Sequence, residues 1–185
     1  MTYLAVHHPE RVHKLVYLDA TYDYAGLGTL PKPPIQRPTP SDTTLASYIE
    51  WLKTVRYGFW TPAMESDVRE GVALGDPKGV TDAIRDMQTH PNEYAKVQAP
   101  VLAFVSRPTV RTSAPWLDAI RDSASIRVAR TYLETVSIPW NRRGPDRLHR
   151  ELPQARIVEL ESPHHIFIAR QDVVVREMRA FLLAP

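Results

Sequence analysis

The sequence predicts an α/β fold built on a parallel sheet, and three observations predict it. Short apolar runs at about 13–18, 100–106 and 155–160 suit strands covered on both faces. Helical sequence separates them, so each pair of strands is joined by a crossover, which implies parallel pairing. The first run ends abruptly on Asp19 and the third on a turn containing two histidines, so polar groups stand at strand ends.

Met1–His8 reads as the tail of a helix, stopped before Pro9 because the residue preceding a proline disfavours helical backbone. His13–Asp19 supplies the first strand. From Ala20 to Pro40, glycine and proline (Gly26, Gly28, Pro31, Pro33, Pro34, Pro38, Pro40) indicate a long loop. Ser41 can cap a helix with Leu45, Tyr48, Ile49, Leu52 and Val55 on one face and Gly58 near its end. Thr61-Pro62 and Asp76-Pro77 are two more helix starts, the latter with a stripe of Val80, Ile84 and Met87.

Pro100–Ser106 is the second strand. Ser113-Ala114-Pro115 then opens helical sequence bearing Trp116, Leu117 and Ile120. A less regular stretch follows to about Leu152, broken at Pro139 and Gly144-Pro145. Ala155–Leu160 is the third strand, and a terminal helix buries Val174, Met178, Phe181 and Leu182. Residues 1–30 and 96–185 thus form the sheet-bearing core, with 31–95 a helical cap inserted between strands. Three strands are few for a doubly covered sheet.

Composition narrows the function. Hydrophobic residues at 43% and charged residues at 24% are ordinary for a globular protein. The net charge of +2 is spread among mixed signs, which argues against nucleic-acid binding. No apolar run reaches the ~20 residues of a membrane helix. The first residues carry no apolar leader, so a cytoplasmic location is the default. With no cysteine, disulfides, thiolate metal sites and a cysteine nucleophile are excluded. The pairs His7-His8 and His164-His165 lack carboxylates at ligand spacing, so no metal and no cofactor is expected.

In open α/β sheets, reactive groups collect beyond the carboxyl ends of the strands. Those positions hold Asp19, then Ser106-Arg107-Pro108, then Ser162-Pro163-His164-His165. An acid and a histidine at two ends of one sheet are what a nucleophile–His–acid relay requires, the imidazole taking a proton and the carboxylate fixing its tautomer.

Met1–Val12 leading into Leu15-Val16-Tyr17-Leu18-Asp19-Ala20 resembles the segment that follows the nucleophile elbow in α/β-hydrolases. There a helix ending in a proline-containing turn feeds a core strand that closes on Leu-Asp. Ala155–Leu182 resembles that family's last strand, histidine loop and terminal helix. The resemblance implies that His165 is the general base, with His164 its alternative, because small or polar residue, His, then a hydrophobic pair reads here as His164-His165-Ile166-Phe167. It implies Asp19 as the orienting acid, with Asp23 and Asp118 as alternatives, since Ser106-Arg107-Pro108-Thr109-Val110 offers no carboxylate. It places Trp51, Tyr57 and Trp60 of the cap among candidate contacts to a small-molecule substrate, of which the sequence gives no identity.

One part of the family pattern is missing. None of the seven glycines lies two residues before a serine, so there is no G-x-S-x-G elbow. The oxyanion loop precedes the elbow in this family and is likewise missing. The expectation is therefore a truncated hydrolase, acting by type on an ester, amide or related bond but inactive alone. The alternative is a non-catalytic module that binds a ligand, self-associates, or pairs with another chain through the open edge of strand 13–18.

Overall fold

The structure is a computed structural model that describes residues 1–21, 23–25, 27–74 and 92–184. The sequence-predicted helix beginning at Asp76-Pro77, with Val80, Ile84 and Met87, lies outside the described residues.

Three parallel strands, β1 (Leu15–Leu18), β2 (Val101–Ser106) and β3 (Arg156–Leu160), form one sheet in the order β1-β2-β3. Register is direct: Leu15 pairs with Val101 and Leu18 with Phe104, while Leu102 pairs with Arg156 and Ser106 with Leu160. All three therefore point their carboxyl ends the same way, bringing Asp19, Ser106 and the 161–165 turn to one edge.

The period of two along each strand divides the core into two layers. Leu15, Tyr17, Val101, Ala103 and Val105 face a cluster with Ala5, Tyr94, Leu148 and Leu152. Leu102, Phe104 and Leu160 face the opposite side, against Ile166, Val174, Met178 and Phe181. Both faces are covered, which is why β2 is apolar at five consecutive buried positions instead of alternating. The terminal helix Gln171–Leu183 is tied to the sheet by Lys14, whose ammonium donates to the carbonyls of Phe181 at 3.1 Å, Leu182 at 3.3 Å and Ala184. A cation at a helix C-terminus complements its dipole and occupies carbonyls that lack helical donors. Leu182, expected in the buried stripe, is 47% exposed, and Val173 packs against the core in its company of Val174, Met178 and Phe181.

A third cluster stands apart from the sheet. Ile35 and Val55 pack with Val110, Ala114, Trp116, Leu117, Ala129 and Leu133. The helical block thus combines residues before β2 with residues after it. Its first helix, Leu45–Trp51, is capped by Thr44, not Ser41: the Thr44 hydroxyl accepts from the Ser47 N–H at 3.2 Å. Asp42 accepts from the Thr44 N–H at 2.8 Å in a local turn that delays the helix start. The helix continues as a π-helical turn over Leu52–Tyr57 and stops at Gly58, whose φ of 68° is left-handed. A Cβ there would lie 2.7 Å from Cβ of Pro115, so only glycine both takes this backbone and admits that contact. A further helix runs Pro62–Leu74, its Met64 N–H donating to the Thr61 hydroxyl at 3.2 Å.

The stretch before Leu152, expected to be irregular, is instead helical from Ser123 to Glu151. A π-helical turn at Leu133–Ser137 sits one residue ahead of Pro139 and loosens the i→i−4 ladder where proline cannot donate. Gly144 is retained for packing: a Cβ on it would come within 1.6 Å of the Thr21 carbonyl oxygen. Proline and glycine here mark a deformed helix against a loop, where the sequence suggested a break.

Candidate active site

Asp19 directly follows β1 with φ 51°, the left-handed region that few side chains adopt and that aspartate tolerates better than most. Its N–H still donates to the Phe104 carbonyl at 2.8 Å, so the sheet ladder reaches this residue before the chain turns. The turn directs the carboxylate across the strand ends. There the Ser106 N–H donates to Oδ1 at 2.7 Å and the Ser106 hydroxyl to Oδ2 at 2.8 Å. Oδ2 also lies 2.8 Å from Nδ1 of His164. An ionised carboxylate only accepts, so this geometry places the imidazole proton on Nδ1 and leaves Nε2 as the basic nitrogen. Asp19 is largely buried while the His164 side chain is 41% exposed.

The histidine that meets Asp19 is therefore His164, the neighbour of the expected His165. His165 packs among rings instead: it meets Tyr57 edge-on at 4.6 Å, Phe167 at 5.5 Å and the His164 ring at 5.1 Å. Burial holds its imidazole below the ordinary range, with the nearby His164 and Arg56 adding to the effect and Asp19 and Asp67 opposing it. Backbone direction separates the two. His165 precedes the short helix Ile166–Ala169, and its carbonyl accepts from the N–H groups of Ile168 and Ala169, each at 3.0 Å. A one-residue offset in such a turn is not legible in a His-His pair.

The other expected residues divide similarly. Asp23 accepts from Arg143 at 3.3 Å and from the Ala25 N–H at 3.1 Å, and Asp118 is exposed on the short helix Pro115–Ala119. Tyr57 lines the cleft beside Asp19 and His164, whereas Trp51 and Trp60 are outside its lining. Trp51 donates from its indole to the Pro38 carbonyl at 2.6 Å, and Trp60 donates to Glu65 at 3.3 Å. Trp116, Arg37 and Arg56 do line the cleft, and the sequence carried no local signal for them.

That cleft has a volume of about 500 Å³ and lies between the three strand ends and the helical block. Asp19, Ser106 and His164 form its floor, and Ile35, Ala114, Trp116 and Leu133 contribute an apolar wall. Such a space suits a small molecule with an apolar part and a few polar anchors. Ser162, beside the histidines, keeps its hydroxyl buried without a hydrogen-bond partner among the described residues. Among those residues no group of three or more His, Cys, Asp or Glu is placed to hold a metal ion, and no helix is long and apolar enough to cross a membrane.

No protein-family model matches the chain, and comparison with curated proteins gives no match. Among solved structures the chain is similar to a probable hydrolytic enzyme from Pseudomonas aeruginosa, at 20% identity with a TM-score of 0.56. The match covers 99% of this chain and 59% of that protein, so the chain spans less than two thirds of its length. At this identity the likeness is one of fold: a parallel α/β sheet flanked by helices, as in that hydrolase-like structure.

Proposed function

We propose that this chain carries the acid–base half of an α/β-hydrolase active site, with His164 as general base and Asp19 as the acid that orients it. The observation that carries the reading is the 2.8 Å contact between His164 Nδ1 and Asp19 Oδ2 at the carboxyl ends of β3 and β1. Two further features support it. Asp19 is held by three donors in a left-handed backbone conformation, and non-glycine residues in that region concentrate at functional sites. The pair also opens on a cleft of suitable size.

In this role Nε2 of His164 removes the proton of an attacking hydroxyl, and Asp19 stabilises the imidazolium that results. The bond attacked is an ester, amide or related linkage. These residues hold no G-x-S-x-G elbow, and the Ser106 hydroxyl is engaged with Asp19, so the nucleophile and oxyanion donors belong to polypeptide beyond this chain. The chain alone is then inactive.

Two measurements test this. Nitrogen-15 NMR of the imidazoles at neutral pH is expected to show His164 as the Nδ1–H tautomer, reverting toward Nε2–H in Asp19→Ala. An unchanged tautomer in that variant breaks the pair and the reading with it. The purified chain is expected to leave p-nitrophenyl esters uncleaved. Turnover that disappears in His164→Ala would place the nucleophile within these residues.

A second reading, a non-catalytic module that pairs through its sheet, is favoured by one observation: among the described residues β1 stands at the end of the order β1-β2-β3 and pairs only with β2. The ladder uses the Leu15 and Asp19 N–H groups toward β2, so the alternate amides of Val16 and Leu18 face the outer edge. Light scattering decides it: a concentration-dependent dimer supports pairing, and a monodisperse monomer removes it.

A further inference from the structure

We propose that the cleft binds a substrate bearing a carboxylate or phosphate group, which Arg37 and Arg56 hold while the bond to be broken lies over His164. The proposal deepens the hydrolase reading and rests on it for the identity of the reacting centre.

Four observations converge on it. Arg37 and Arg56 both line the cleft that Asp19 and His164 floor. Each guanidinium sits by an aromatic ring and not by an acid: Arg37 lies 5.6 Å from the Trp51 ring centre, and Arg56 lies 5.9 Å from that of Tyr57. Among the described residues neither forms an ion pair with a carboxylate. The two are also close enough to oppose each other electrostatically. Partial burial, and after it the charge of Arg56, holds the Arg37 guanidinium below its usual value, though much of that side chain remains open to solvent.

Two like charges brought together without an acid are a cost that a bound anion offsets. Among the described residues the only carboxylate in the cleft lining is Asp19, whose oxygens already receive Ser106 and His164. Among the described residues the cleft therefore presents two positive charges that no carboxylate pairs against one committed negative one. Guanidinium forks match the paired oxygens of a carboxylate or phosphate, and the aromatic rings keep the arginines in place by cation–π contact. Arg56 and Tyr57 belong to the same π-helical turn, a deformation that recurs at functional sites and here puts consecutive side chains on the cleft wall. The apolar wall with Trp116 and Leu133 accommodates the rest of such a molecule.

The test uses the full chain and binding, so it needs no turnover. Phenylacetate and phenyl phosphate are compared with the neutral phenylacetamide by calorimetric titration at low salt. At least one anion is expected to bind about tenfold tighter than the amide, roughly 1.4 kcal/mol. Either order of the two anions supports the site and names the oxyanion it takes. Arg37→Gln and Arg56→Gln should each abolish the preference, while Arg142→Gln, outside the cleft, should keep it. Both tested arginines are solvent-accessible, so their replacement leaves the core intact. Equal binding of anion and amide, no binding of either anion at millimolar concentration, or a preference that persists in both variants overturns the proposal. Failure here with an intact Asp19–His164 tautomer removes the anion site alone. A lost tautomer with the preference retained removes the hydrolase reading and leaves the anion site standing.

Discussion

Gly144 lies against Thr21 so closely that a Cβ on it would stand 1.6 Å from the Thr21 carbonyl oxygen and 2.7 Å from its carbonyl carbon. Thr21 is two residues beyond Asp19, so this contact seats the loop that leaves the acid. In a free helix interior, alanine is better than glycine by about 1 kcal/mol. Here the sign reverses, because backbone atoms cannot swing aside as a side-chain tip can. Gly144→Ala is expected to destabilise the protein by about 1–3 kcal/mol, the usual cost of overpacking, and to lower its melting temperature by several degrees. A variant that melts higher than the parent contradicts this packing.

Ser106 acts on Asp19 through both its N–H and its hydroxyl. Ser106→Ala removes the second donor and keeps the first, so the carboxylate stays in place with one fewer charge-assisted bond. The expected cost is about 1–2 kcal/mol of stability by chemical denaturation. Asp19→Ala is expected to cost more, since it strands His164 Nδ1 and both Ser106 donors together. A Ser106→Ala loss that stays the same in the Asp19→Ala background would mean that Ser106 contributes nothing through Asp19.

His165 provides a pH dependence whose direction follows from its surroundings. Burial first, then His164 and Arg56, lower its folded pKa beneath the ordinary imidazole value. The unfolded chain therefore binds the proton more readily. The stability due to neutral His165 is complete above about pH 6.5, the unfolded value, and declines as the pH falls toward the depressed folded value. Replacing the ring with an uncharged one removes this term. The stability of the parent relative to His165→Phe should thus decrease as the pH is lowered from 7.5 to 5, read from urea midpoints at each pH. A gap independent of pH would show that His165 titrates alike in both states.

How far the sequence could be read depends on the range over which each signal acts. The strands and their direction were legible because hydrophobic runs and intervening helices are local patterns, and 13–18, 100–106 and 155–160 contain the observed β1, β2 and β3. The helix Ser123–Glu151 was obscured because Pro139 and Gly144-Pro145 are local breakers whose effects are absorbed by a π-helical turn and by contact with Thr21. Asp19 was found because it sits at a strand end, a position that topology favours for chemistry. Ser106 occupied the equivalent place on β2, but its role of holding Asp19 crosses 87 residues and leaves no local trace.

By itself, the sequence determined the α/β class, the parallel order of crossovers and the three polar strand ends, since hydrophobic period and chain connectivity suffice for these. Which imidazole faces Asp19, that Tyr57 but neither Trp51 nor Trp60 lines the cleft, and that Arg37 and Arg56 line it together were decided only in three dimensions. The reason is angular. Neighbouring residues in a turn point in different directions, and groups distant in sequence meet only after the sheet, the loop on Gly144 and the helical block have packed together.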